Sequence, residues 1–402
     1  MPKQYFFEAG TFPELSYTEL LAVLESFGFS KDVVTRFGSS IFLVKDEKID
    51  ETFVKNIFDR LGGSVRVGEI VEDIDNFYTT TNQEGIDSQE GSKKVIFGIS
   101  ILGNSHKDDS RFLKKLANSI KKGLKEYGIS SRFVLPQGRD SSLNAAQVIR
   151  NQILQKGFEL NILRQGNEEI YGRTIKIQDL EGFVRRDMNK PETDTEMGTL
   201  PPKLARMMVN FTAQNSGTLW DPFCGSGTIP MEAAMLGFNF LASDINPQAV
   251  NDTDANVRWL SSEGYISDTL YETFRFDVTK PDSEIVKKLK HTDITSIVCE
   301  PYMGPPLTRI ISEQKANELL EGVKKLYFKL FDLIDNKMEK RGIKVIIIIP
   351  SYKTDRGWKT FGIRELVGKR WIVKNSEYSK EDLKWNRKNS IITRNIYILE
   401  RS

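Results

Sequence analysis

Thr218-Leu-Trp-Asp-Pro-Phe-Cys-Gly-Ser-Gly-Thr-Ile-Pro230 reads as a short buried strand, an acidic turn, two glycines and the start of a helix. Leu219 and Trp220 supply the apolar strand end. Gly225 and Gly227 let the backbone approach a ligand with no Cβ in the way. Pro230 suits the first turn of a helix, where its missing N–H costs little. Together these residues form a cradle for a nucleotide-type ligand. A dinucleotide fits poorly, because G-x-G-x-x-G needs a third glycine where Pro230 stands.

Downstream, the pattern predicts a helix over 228–236, stopped by Gly237, and a strand over 239–243 that runs into Asp244-Ile-Asn-Pro247. An acid at that strand's carboxyl end can accept both ribose hydroxyls, and bonds to a charged acceptor contribute about 1.5–3 kcal/mol. Asp244 equally suits the N-terminus of a helix opening at Asn246-Pro247. A third strand over 273–276 ends at Asp277-Val278, where the acid can accept from an adenine amino group or serve as a solvated loop acid. A fourth, over 295–299, enters Glu300-Pro-Tyr-Met-Gly-Pro-Pro306.

The three stretches DPFCGSGT (221–228), SDINP (243–247) and EPYMG (300–304) resemble class I S-adenosylmethionine-dependent methyltransferases, in particular the branch that methylates amines through a D/N-P-P-Y motif. Gly198-Thr-Leu-Pro-Pro-Lys-Leu-Ala-Arg-Met-Met-Val-Asn210 is similar to the leading helix of the THUMP-linked tRNA guanosine-N2-methyltransferases. The resemblance implies S-adenosyl-L-methionine as cofactor, held by Asp221, Pro222, Phe223, Cys224, Gly225, Gly227, Thr228, Asp244, Ile245, Asp277 and Val278. It implies tRNA as substrate, with guanosine N2 as the methyl acceptor. An exocyclic amine is a poor nucleophile because its lone pair is delocalised into the ring, so it must be held and aimed. Glu300 and the Pro301 carbonyl would accept its protons, and Tyr302 would stack on the extruded base. This chain departs from the family here. If Tyr302 is the family's tyrosine, Cys299 falls at the acid's position; if Glu300 is the acid, one proline is lost and Met303 takes the aromatic slot. Two alternatives stay open: an adenine-N6 or DNA amine methylase, and a tRNA-binding protein that keeps the fold but has lost catalysis.

With 402 residues the chain is long enough for several cores. Two cysteines suit a reducing, cytoplasmic setting, and with two histidines they cannot build a Cys/His metal site. The longest aliphatic run, 345–349, is far shorter than a membrane span. Net charge is only +2, but it is unevenly spread: residues 1–92 carry 8 basic and 17 acidic side chains, residues 93–150 carry 12 and 4. The basic segment is therefore the candidate for RNA contact. It contains an amphipathic helix over 111–127, with Leu113, Leu116, Ala117, Ile120, Leu124 and Tyr127 as the buried stripe and Lys114, Lys115, Lys121, Lys122 and Lys125 opposite. Arg132 and Arg139 extend this basic surface, since phosphates are met by basic side chains. The stretch 134–163 is similar to the THUMP module, which implies docking on the acceptor end of tRNA.

The expected organisation is a ferredoxin-like domain with a polar linker (1–92), a THUMP-like RNA-binding domain (93–183) and a Rossmann-like methyltransferase domain (184–402). The last is an α/β fold whose seven-stranded, doubly wound sheet ends in an antiparallel strand, as the resemblance implies. A helix over 312–340, ended by Gly342, and strands over 344–349, 371–373 and 390–399 complete it. Neither a small activating subunit nor the oligomeric state can be read from these residues.

Overall fold

Aromatic and β-branched residues open the chain: Tyr5, Phe6 and Phe7 on β1 (Gln4–Ala9) are fully buried, as such side chains are on a covered pleated surface. The computed structural model describes residues 2–71, 94–138, 140–193, 199–338, 341–387 and 389–402. Its contacts divide the chain into two units. The first comprises Met1–Pro13, Ser30–Asp59 and Ser64–Leu180; the second comprises Glu14–Phe29, Arg60–Gly63 and Glu181–Ser402.

The first unit is built on one eight-stranded sheet. After α1 (Pro13–Ser26), which belongs to the second unit, come β2 (Val34–Phe37), β3 (Ile41–Lys45), α2 (Glu51–Arg60) and β4 (Ser64–Val71). Then follow β5 (Val95–Gly103), α3 (Asp109–Glu126), β6 (Ser131–Val134), α4 (Ala145–Arg150), α5 (Ile153–Lys156), β7 (Gly157–Gln165) and β8 (Glu168–Ile177). The strand order is β2-β3-β1-β4-β8-β7-β5-β6. The β4–β8 pairing is antiparallel and joins the strands of the expected first and second domains edge to edge. Residues 1–92 and 93–183 thus share a sheet, which differs from the three consecutive domains drawn from sequence.

The face of α3 is set by its apolar stripe. Leu113, Ala117, Ile120 and Leu124 are buried against Phe97, Ile99, Phe158 and Leu160, while Leu116 is half-buried. Tyr127, expected in that stripe, is 62% exposed, because α3 ends at Glu126 and the chain turns away there. Some polar residues inside this sheet meet one another. Buried Glu159 accepts from the Ser100 hydroxyl at 2.7 Å and the Thr174 hydroxyl at 2.6 Å, and Asn161 accepts from Arg66 at 3.0 Å. Such groups are costly to bury without partners.

In the second unit, α6 (Leu180–Met188) and α7 (Pro202–Asn210) precede β9 (Thr218–Asp221), α8 (Thr228–Met235), β10 (Asn239–Asp244) and α9 (Pro247–Ser262). Then come β11 (Tyr271–Arg275), α10 (Ser283–His291), β12 (Ile294–Cys299), α11 (Glu313–Leu333), β13 (Lys344–Thr354), β14 (Gly357–Lys359), β15 (Trp371–Val373), β16 (Lys384–Trp385) and β17 (Ile392–Arg401). The main strand order is β11-β10-β9-β12-β13-β17-β15, with β14 and β16 as short additions. β9 to β13 are parallel and β17 is antiparallel to both neighbours. This is the seven-stranded path with its one reversed strand. Val345 to Ile349 are wholly buried at its centre, as a strand covered on both faces requires. The expected 312–340 helix is α11 followed by one wider turn, Ile334–Met338; residues 339–340 lie outside the described part. So does most of the expected linker, together with Gly198 and Arg139.

Within this unit, α1 is fastened by a buried carboxyl. Glu19 accepts from the N–H groups of Gly62 and Gly63, each at 2.8 Å, and from the Asn210 amide on α7 at 2.7 Å. Burial pushes the Glu19 carboxyl up to about 7, against those three donors. Glu19→Ala removes the shared acceptor and is expected to destabilise this unit by about 3 kcal/mol in chemical denaturation. Since the folded carboxyl titrates above its unfolded value, stability falls as pH rises from about 4.5 through about 7, and Glu19→Gln should flatten that slope.

Candidate active site

Open parallel sheets bind ligands outside the carboxyl ends of their strands, where strand order reverses. In the second unit that point lies between β9 and β12, and a cavity of about 530 Å³ opens there. The loop after β9 is tied down from three sides. Cys224 N–H donates to Ser243 O at 3.0 Å, the Thr253 hydroxyl donates to Gly225 O at 2.9 Å, and the Asn256 amide donates to Ser226 O at 2.8 Å. With an N–H given to β10 and two carbonyls engaged by α9, the loop leaves the α8 N-terminus as its ligand-facing end.

The two glycines play different parts. Gly225 has φ +51° and a Cβ there would meet no atom within 4 Å. Gly227 has φ +81° and caps α8, and a Cβ would press on Thr253 at 3.0 Å. Of the residues expected to hold a ligand, Asp221, Pro222, Phe223, Cys224, Gly225, Thr228, Asp244, Ile245, Asp277 and Val278 line the cavity, and Gly227 does not. Its role is helix packing against α9.

Four carboxyl groups, those of Asp221, Asp244, Asp277 and Glu300, border this space. Asp244 takes Gly225 N–H on Oδ2 at 3.1 Å and Asn246 N–H on Oδ1 at 2.9 Å. A carboxylate offers about four acceptor positions, so two remain for a diol. Asp244 stands two residues before the N-cap of α9, which is Asn246, accepting from Gln248 N–H at 3.0 Å. Asp221 is fully buried, and burial, with repulsion from Asp244 and Glu300, pushes its carboxyl well up despite a bond from Phe223 N–H. Burial works against ionised Asp277 too, yet bonds from the Thr279 hydroxyl and the Thr279 and Lys280 N–H groups hold its carboxyl below the usual range. A cavity this acidic repels a pyrophosphate and suits a ligand carrying positive charge.

Glu300, Pro301 and Tyr302 lie on the same cavity, Tyr302 half-exposed. Cys299 is wholly buried in β12, and burial, then Asp221 and Glu300, push its thiol well up. Of the two alignments of this motif, the geometry therefore favours Glu300 as the acid. Sequence reading did not find what holds it: Arg394 on β17 donates to Glu300 Oε1 from Nε at 2.6 Å. Nothing in the spacing of residues 300 and 394 announces the pair, which exists only because β17 returns beside β13. Tyr352 likewise donates to the Met303 carbonyl from a distant strand.

In the first unit, Lys114, Lys121, Lys122 and Lys125 lie exposed along α3 and Arg132 is exposed on edge strand β6. Lys121 Nζ sits 5.9 Å from the Phe133 ring centroid. Among the described residues no cluster of three or more His, Cys, Asp or Glu is placed to hold a metal ion, and no helix is long and apolar enough to cross a membrane.

Residues 191–355 match the family described as UPF0020: RMKL-like, methyltransferase domain. The chain is similar to this family over that stretch, which is less than half of its length. It is also similar to the tRNA (guanine(10)-N2)-dimethyltransferase of Methanothermobacter thermautotrophicus, 30% identical over 156 residues, 39% of this chain and 40% of that protein. To the enzyme of the same name in Methanocaldococcus jannaschii it is 24% identical over 309 residues, 73% of this chain and 80% of that one. The first match thus spans well under two thirds of its relative. The crystal structure of TrmN from Thermus thermophilus aligns over 99% of this chain and 100% of its own, at a TM-score of 0.50 and 13% identity, a likeness of fold. The second unit has a Rossmann-like α/β fold.

Because Gly227 is left-handed and abuts Thr253, Gly227→Ala should cost about 1–2 kcal/mol in urea denaturation. Gly225→Ala, with open space before its Cβ, should cost less.

Proposed function

We infer that the chain transfers a methyl group from S-adenosylmethionine to the exocyclic amine of a base in tRNA, guanosine N2. The observation that carries this reading is that Glu300, Pro301 and Tyr302 share one cavity with Asp244 and the glycine loop. The residues present fit the cofactor: the Asp244 acceptors suit a ribose, Asp277 and Val278 flank the place for an adenine, and the acidic lining suits a sulfonium. When bound, the cofactor supplies an electrophilic methyl group. Glu300 and the Pro301 carbonyl accept the two amine protons, which turns the nitrogen lone pair out of conjugation and fixes its direction. The Tyr302 ring, half-exposed at the cavity, offers a stacking face for an extruded base. Arg394 fixes the longer glutamate side chain and leaves acceptor positions on its carboxylate for the substrate. The names of the relatives support tRNA and guanosine N2 as the target.

Glu300→Ala should lower transfer to tRNA about a hundredfold or more, read by nucleoside mass spectrometry, with affinity for the cofactor little changed. Label found in DNA and absent from tRNA would overturn the substrate assignment. The Arg394–Glu300 ion pair also favours a second reading, a tRNA-binding protein whose acid is permanently engaged. Cofactor binding with no turnover on any RNA would select that reading.

The lysine face of α3 fits the role of a phosphate-binding surface in a THUMP-like region. Neutralising Lys121, Lys122 and Lys125 together should weaken tRNA binding and reduce the salt slope by up to about 3. An unchanged slope would return these side chains to an ordinary solvated face.

A further inference from the structure

The cavity just described carries four carboxyl groups on an otherwise largely apolar wall, yet the amino-acid arm of the proposed cofactor ends in a carboxylate as well as an ammonium. Where that carboxylate can rest is decided by a residue behind the glycine loop. Lys190 lies beyond the end of α6 and is only 5% exposed. Its Nζ donates to the Ser226 hydroxyl at 3.0 Å and to the Thr228 hydroxyl at 3.1 Å. The segment carrying it is fixed on α9: Glu192 N–H donates to the Asn256 side chain at 2.9 Å, and the Asn256 amide donates back to Glu192 O at 2.8 Å. That amide also holds Ser226 O, so the lysine segment and the loop are braced by one side chain.

An ammonium can only donate. Each hydroxyl that accepts from Lys190 therefore has its own proton to give elsewhere, and both Ser226 and Thr228 border the cavity. Burial draws the Lys190 ammonium down to about 8, while Asp187 and Glu232 act the other way, so it remains charged at neutral pH. Two hydroxyl donors, a cation behind them and the start of α8 thus converge at one end of a cavity whose other borders are Asp221, Asp244 and Glu300.

We propose that Lys190 is a positioning residue: through Ser226 and Thr228 it makes this end of the cavity a donor site selective for the carboxylate of the cofactor's amino-acid arm. The inference rests on the cofactor reading above and adds the orientation of the ligand within the site.

The test is calorimetric binding to the full chain of two ligands that share the nucleoside and the thioether: S-adenosylhomocysteine, which has the amino-acid arm, and methylthioadenosine, which lacks it. Lys190→Met is expected to weaken S-adenosylhomocysteine about tenfold or more while methylthioadenosine changes by less than about twofold. Ser226→Ala should reproduce the selective loss in part, and it serves as the measurement should Lys190→Met fail to fold. Equal weakening of both ligands would overturn the proposal, since a lysine that merely braces the loop would affect both alike; so would no weakening of either. If the wild-type chain binds neither ligand, the cofactor reading itself fails and this proposal falls with it, a result distinct from binding of both without selectivity.

Discussion

The Gly225 N–H bond to Asp244 is the contact on which the site depends. It joins the loop after β9 to the carboxyl end of β10, and so fixes the Asp244 carboxylate beside the glycine loop on one cavity. Parallel neighbours make this possible: Ala242 pairs with Asp221, so the two acids stand at adjacent strand ends. Thr253 and Asn256 on α9 then hold the loop's carbonyls from behind. Without that bracing the left-handed Gly227 would be one conformer among several; with it, α8 starts in a fixed direction.

Crowding carboxyl groups around one cavity has a thermodynamic cost, visible in the upward push on the Asp221 carboxyl. Each acid here is met by donors suited to its exposure. Buried Asp221 has the Phe223 N–H, Asp277 has a serine-like turn through Thr279, and Glu300 has a guanidinium. The arrangement keeps negative charge where a cationic ligand would neutralise it, while Lys190 on the far side of the loop reverses the sign locally. The Glu300 side chain is held by Arg394, whose planar fork restrains its torsions.

Much of this was legible in the residues. The order of strand, glycine loop, helix and acid fixes β9 to β12, and the run Val345 to Ile349 announces a strand buried on both faces. Boundaries slipped where the deciding partner is remote: the expected 273–276 strand is Tyr271–Arg275, only the opening of α9 at Asn246-Pro247 was read, and α10 was not read at all. Gly227 looked like a ligand-facing glycine, whereas its constraint comes from Thr253, which no local pattern reveals. Arg394 and Lys190 were likewise invisible as partners, since each meets its site through chain reversal. Tyr127 kept helical spacing with the stripe but fell one residue past the helix end, where periodicity no longer dictates direction.

Neither compact unit is a continuous stretch of chain, because Glu14–Phe29 and Arg60–Gly63 belong with Glu181–Ser402. Asn210, which donates to Glu19, follows it by 191 positions in the chain. A long loop adds only modest closure entropy, but the waiting time is real. During synthesis α1 therefore stays without this partner until the intervening chain has been made, so its docking must follow the translation of Asn210.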